Sequence, residues 1–142
     1  MKTNRLIILL LSSCFLLSMT CRKGDTDSCH YKIRMHNDSD IPIYTFISYD
    51  YPDTGLNFQR PGIDRLSNST SPHSWSDIRD EIKCIETKMS ENGAEKLTIF
   101  IFDKKLIDTT PWSQVRQNYQ ILKRSSYTLD ELKDLNFELV YP

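Results

Sequence analysis

The chain has 142 residues, of which 39% are hydrophobic, 11% aromatic and 26% charged, the proportions of one ordinary globular domain, which sets aside disorder, collagen-like repeats and coiled coils. Lys2 and Arg5 are the only charged residues among the first 20, so the remaining 122 carry 16 basic and 19 acidic side chains, a formal charge of −3. A nucleic-acid partner is not expected, because such a binder concentrates a basic excess on one face and a basic cluster such as Lys123-Arg124 is too small to track a phosphate backbone.

The first element reads as a secretion signal. Met1 to Arg5 is a positive n-region, and Leu6 to Leu17 is an apolar stretch of signal length, too short for a permanent span of roughly 20 residues. Two cysteines compete for its end. Leu11-Ser-Ser-Cys14 has the better local match to a lipobox, but leaves too few apolar residues upstream to form an h-region. Leu17-Ser-Met-Thr-Cys21 has a proper h-region before it and the polar run Arg22 to Asp27 after it, although threonine directly before the cysteine is less usual. Cys21 is therefore favoured as the lipidation site, with Cys14 and ordinary cleavage without lipid as the alternatives. Domain boundaries follow: 1–20 signal peptide, 21–28 lipidated cysteine and tether, 29–142 a single folded domain.

From Cys29 the pattern turns to strand. Tyr31, Ile33 and Met35 alternate with Lys32, Arg34 and His36. Asn37 to Asp40 is a turn cluster and Ile41 to Tyr49 is apolar on both faces, which predicts a hairpin whose second strand is central in a sheet. A turn at Tyr51 to Gly55 precedes a weakly patterned stretch with a short edge strand expected near Ile63 to Leu66. Ser74 with Asp77 three positions on resembles a capping box, and Trp75, Ile78, Ile82, Ile85 and Met89 share one helical face that stops at Asn92-Gly93. That spacing predicts the longest helix of the chain.

Leu97 to Phe102 is a β-rich run of buried-strand composition. Thr110-Pro111 reads as an N-cap and first helical position, opening a short helix through Gln117. Tyr119 to Tyr127 is a further strand candidate. Thr128-Leu-Asp-Glu131 is a capping box for a helix with Leu129, Leu132 and Leu135 inward, and Phe137 to Tyr141 closes as a strand. The sum is an α+β domain with a mainly antiparallel sheet and two to three short helices.

Several of these segments together resemble a known group. The lipobox-like start, Asn37-Asp-Ser39, Tyr51-Pro-Asp53, Ser74-Trp75, Leu97 to Phe102, Trp112-x-x-Val115-Arg116, Ile121 to Arg124 and Tyr127 to Asn136 with the ending Tyr141-Pro142 are similar to short lipoproteins of Bacteroides and related gut bacteria. That resemblance covers most of the chain after Cys21. It implies a lipid-anchored envelope protein and carries no assigned activity. Two departures stand beside it: the stretch Lys83 to Lys96 is longer than the resemblance implies, and Cys29 and Cys84 do not carry over from it.

Of the residues able to carry chemistry, Cys29 and Cys84 are the only cysteines left after processing at Cys21. In an oxidising compartment they would close a disulfide loop worth about 4 kcal/mol; the alternative is two unpaired small hydrophobes. His30, His36 and His73 lack the paired spacing of zinc or nucleophile chemistry, and Asp77, Asp80, Glu81, Asp130 and Glu131 are expected as first-turn residues favoured by helix dipoles. No catalytic residue, metal site or cofactor is expected. Tyr44, Tyr49, Tyr51, Trp75, Trp112 and Tyr119 include the components of a sugar-stacking platform, although aromatics in strands and first helical turns are mostly core, and Trp75 and Trp112 read as buried anchors. Asp108-Thr-Thr110 resembles the O-glycosylation signal of such bacteria, while Thr110 serves equally as a helix cap.

The expected protein is thus a lipid-anchored lipoprotein of the bacterial outer membrane, facing periplasm or medium, and a non-enzymatic accessory or interaction module with a protein or glycan partner. The alternative is an envelope enzyme or enzyme inhibitor whose site is assembled from residues distant in sequence.

Overall fold

The computed structural model of the protein describes residues 29–63, 67–79 and 83–142. The signal, Cys21, the tether, residues 64–66 of the expected edge strand and Ile82 of the expected long helix lie outside the described residues. In chain order the elements are β1 (Lys32–Asn37), β2 (Ile43–Ser48), β3 (Ser67–Thr70), β4 (Ser74–Arg79), α1 (Ile85–Glu91), β5 (Leu97–Asp103), α2 (Lys104–Thr109), α3 (Trp112–Gln117), β6 (Lys123–Tyr127), α4 (Leu129–Asp134) and β7 (Glu138–Tyr141). The class is α+β with mostly antiparallel sheet. Three strands in the order β4-β1-β7 form the first sheet and four in the order β3-β2-β5-β6 form the second. All pairs are antiparallel except β1 with β7, which run parallel.

Burial demand explains this division. β1 alternates, with Ile33 and Met35 inward and Lys32, Arg34 and His36 outward, so it suits a sheet with one face in water. β2 and β5 are apolar on both faces and need cover on both. They lie in the middle of the second sheet, between two cores. One core joins Ile43, Ile47, Leu97, Ile99 and Ile101 to the inner face of the first sheet (Ile33, Met35, Ile78, Leu139) and to Ile85, Met89 and Leu132 of α1 and α4. The other packs Phe46, Phe100 and Phe102 against Leu56, Phe58, Ile107, Trp112 and Val115, contributed by the 51–63 loop, α2 and α3.

The expected β1–β2 hairpin therefore does not form: the two strands enter different sheets. Asn37, fully buried, makes the corner. Its amide donates to the carbonyls of Ile41 at 2.8 Å, Ser71 at 3.1 Å and Thr70 at 3.4 Å, while its Oδ1 accepts from Ser39 Oγ at 2.6 Å. That side chain ties the β1–β2 connection to the β3–β4 connection and satisfies carbonyls of both.

The long helix is also corrected. Residues 74–79 form a strand, with Ile78 buried and Trp75, Asp77 and Arg79 on the other face. Ser74 Oγ donates to Ser71 O at 2.7 Å rather than capping a helix. Only Ile85 and Met89 of the predicted stripe lie on α1, which ends at Asn92 with Gly93 at φ +60°, a conformation glycine adopts without strain.

Smaller differences have equally local causes. Ile63 sits in a turn and is 70% exposed, and the edge strand starts at Ser67. Asp103, the last residue of β5, accepts from Lys105 N at 2.7 Å and Leu106 N at 3.3 Å and so caps α2, a helix the apolar pattern did not predict. Thr110 closes α2 while Pro111 caps α3. Tyr119 turns at φ 49°, so β6 is confined to residues 123–127. The Thr128–Glu131 capping box is present, Leu132 is buried, but Leu135 follows the last turn and is 44% exposed.

Candidate functional site

Strand register builds the outward face of the first sheet in rows. Trp75 of β4, His36 of β1 and Val140 of β7 lie opposite one another, and the next outward row is Asp77, Arg34 and Glu138. Arg79 and Lys32 form a third. Each three-strand row spans about 10 Å at the usual strand spacing. The first row is the apolar one: Trp75 is 45% and Val140 56% exposed. His36 stacks beside the indole, ring centroids 4.7 Å apart, and the Arg34 guanidinium carbon lies 4.6 Å from the indole centroid.

Charged groups frame this row. Asp77 accepts from Arg79 Nη2 at 3.0 Å and Lys32 Nζ at 3.2 Å, with Arg34 Nε at 3.9 Å, and Arg34 also pairs with Glu138. Beyond the opposite side of the row, His73 Nε2 lies 3.0 Å from Asp40 Oδ1 and its Nδ1 lies 3.7 Å from Asp38 Oδ1. Hydrogen bonding from Arg79 above all, then from Lys32, holds the Asp77 carboxyl below the ordinary carboxylate range, against partial burial.

The sign of the pH dependence follows. The unfolded chain returns Asp77 to about 3.9, so at low pH it takes up a proton more readily than the folded protein. The stability it contributes is present above that value and is lost as pH falls through the lower folded pKa. Asp77→Asn is therefore expected to lose less stability than the parent between about pH 5 and pH 3, read as the change in urea midpoint; parallel profiles for the two proteins would contradict the assignment.

A second polar cluster lies on the other side of the second sheet. Lys104 Nζ donates to Asp108 Oδ2 at 2.6 Å and to Tyr44 Oη at 2.9 Å, and Tyr44 Oη donates to Asp108 Oδ1 at 3.2 Å. Arg60 Nη2 donates to Ile107 O at 2.7 Å and lies 3.7 Å from Asp108. Asp108 and then Tyr44 raise the Lys104 pKa, and Lys104 lowers that of Asp108. Both stay charged. With its ammonium bonded to both Asp108 and Tyr44, and Arg60 reaching Ile107 O and Asp108, the cluster reads as a clamp holding the 51–63 loop and α2 to β2. Gly62, at φ +89°, approaches the Tyr44 ring so closely that a Cβ would lie 3.0 Å from its Cζ and Oη.

The structure separates the other sequence candidates. Cys29 and Cys84 are joined as a disulfide, with Cα atoms 5.4 Å apart. Glu86 lies near the sulfurs, but its carboxylate accepts from His30 N at 2.9 Å and sits 2.6 Å from His30 Nδ1, whose ring stacks on Phe137. Tyr49 belongs to the first core and Tyr44 packs against the second. Trp112 donates from Nε1 to Phe58 O at 3.1 Å within an aromatic cluster, in keeping with an anchoring role. Trp75 is the opposite of the buried anchor that a helical placement predicts. Thr109 is exposed and donates to Lys105 O at 2.8 Å, while Asp108 beside it is engaged by Lys104. Tyr51 and Tyr119 are also exposed, at 38% and 39%, but lie outside the strands; of the six aromatics Trp75 is the one that is both half-exposed and carried on a strand, and the period-two pattern Trp75, Asp77, Arg79 is the sequence signal for it. Comparison with protein-family models, curated proteins and solved structures finds no match.

Proposed function

We propose that the chain is a lipid-anchored, non-enzymatic interaction module of the bacterial cell envelope, tethered to the outer membrane through Cys21 and binding its partner with the outward face of the β4-β1-β7 sheet. The observation that carries the binding part is the half-exposed Trp75 on β4, with the charged row Asp77-Arg34-Glu138 beside it on the same sheet face. An exposed indole with hydrogen-bonding groups beside it suits a ligand that is apolar on one face and polar at its rim. The anchor is supported by the positive start, the apolar run and the polar stretch around Cys21, and by the resemblance to short Bacteroides lipoproteins. Each buried acyl CH₂ is worth about 0.8 kcal/mol, so several chains hold a domain at a membrane effectively permanently. The enzyme alternative would draw on Tyr44, Lys104 and Asp108, whose polar atoms are bonded to one another.

Fractionation of the producing cells tests the anchor. The parent is expected to pellet with membranes and to resist a salt wash, and Cys21→Ala to appear in the soluble fraction. A Cys21→Ala protein that still pellets after the wash would remove the anchor.

A further inference from the structure

Resting on the binding face proposed above, we infer that its ligand is a carbohydrate, whose pyranose ring stacks on Trp75 while its hydroxyl groups bond to the Asp77-Arg34-Glu138 row. A sugar ring presents C–H groups, slightly positive, on one face and hydroxyls around its rim. An indole face carries negative charge density that attracts such C–H groups, and each hydroxyl both donates and accepts. The outward face supplies both demands side by side: an apolar row with Trp75 and Val140 exposed, and next to it, two residues along each strand, carboxylates and a guanidinium. Arg34 and His36 both lie against the indole, the guanidinium carbon 4.6 Å and the tilted imidazole 4.7 Å from its centroid, and restrain its orientation. Placement on strands rather than loops keeps this geometry rigid.

Other ligand classes fit less well. A stable protein partner needs about 800 Å² of largely desolvated contact with charges depleted at its centre, whereas Lys32, Arg34, Asp77, Arg79 and Glu138 crowd the rows beside Trp75. Burying those pairs would add the desolvation cost of each ion. A nucleic acid would stack on the indole but would set its phosphates against Asp77 and Glu138. A sugar replaces the water on these groups with hydroxyls and leaves the ion pairs intact.

The test uses purified mature protein on an array of neutral and uronate-containing glycans, followed by affinity electrophoresis through gels containing the soluble polysaccharides that score. Wild type is expected to bind at least one glycan, Trp75→Ala to bind about tenfold or more weakly, and Glu138→Gln to fall between. Trp75 is half exposed, so Trp75→Ala should melt within about 4 °C of wild type, which separates lost binding from lost folding. Trp112→Phe leaves Trp75 as the only tryptophan, and its fluorescence should shift on adding the bound glycan. A silent array, or equal binding by wild type and Trp75→Ala, overturns the carbohydrate assignment. A protein captured from the envelope that is lost with Trp75→Ala also overturns it, while leaving the interaction-module reading in place; glycan binding by a protein whose Cys21 proves unlipidated leaves the carbohydrate assignment and removes the anchor.

Discussion

Reducing the Cys29–Cys84 disulfide is expected to lower the stability of the folded domain by about 4 kcal/mol, through loop closure in the unfolded chain. The two cysteines are 55 residues apart in sequence, and the loop they close contains β1, β2, β3 and β4. Native contacts add to the effect. Cys84 is the residue before α1, Ile85 N donates to His30 O at 2.8 Å, and the His30–Glu86 pair sits on the same junction. The bond therefore pins the start of β1 to the start of α1, over the first core. With an unfolding entropy of about 2.1 cal/mol/K per residue, 4 kcal/mol corresponds to a fall of roughly 15 °C in the melting temperature of a domain this size. Calorimetry with and without a dithiol reductant checks it. The double variant Cys29→Ser with Cys84→Ser should melt with the reduced protein and be insensitive to reductant; equal melting temperatures for oxidised and reduced wild type would show that the bridge contributes nothing.

Phe100→Ala is expected to destabilise by about 3–5 kcal/mol, a large share of the 5–15 kcal/mol that holds a typical domain together. Phe100 is fully buried at the middle of β5, opposite Phe46 on β2. Its ring lies 5.3 Å from that of Phe58 and 6.3 Å from that of Phe102, and Phe58 in turn stacks on Phe46 at 3.8 Å. Removing it opens a cavity between the second sheet and the layer formed by the 51–63 loop, α2 and α3, and the cost rises with the volume left unfilled. Urea unfolding followed by circular dichroism measures the loss. Phe100→Leu should recover most of it, because the surrounding rings regain contact. Trp75→Ala, in contrast, removes an exposed ring and should stay within about 1 kcal/mol of wild type. Reversal of that order would mean that the aromatic cluster is not the second core.

Local chemistry was legible in the amino-acid sequence wherever one segment carries its own information. The alternation of residues 31–36 predicts β1, and its single apolar face is the face that is buried. The two-sided run of residues 41–49 predicts a strand covered on both faces, as β2 is. Thr128 with Glu131 predicts the capping box, and Asn92-Gly93 the end of α1. The α+β class follows from the sum of such segments.

Tertiary structure decided what depends on partners. Residues 74–89 fit helical spacing by coincidence of two separate elements, because Ile78 is buried by a strand and Ile85 and Met89 by a helix; only the pairing of β4 with β1 chooses between the periods for residues 74–79. The same choice turns Trp75 outward and so creates the candidate site, whose other members come from β1 and from β7 at the far end of the chain. β1 and β2 stand next to each other in sequence yet enter different sheets, because a strand with one apolar face and a strand with two need different numbers of covering layers. The amino-acid sequence by itself thus determined which segments are strands or caps and which faces must be dry; the fold decided which segments supply the cover, since burial is a property of the neighbours a side chain meets and not of the segment that carries it.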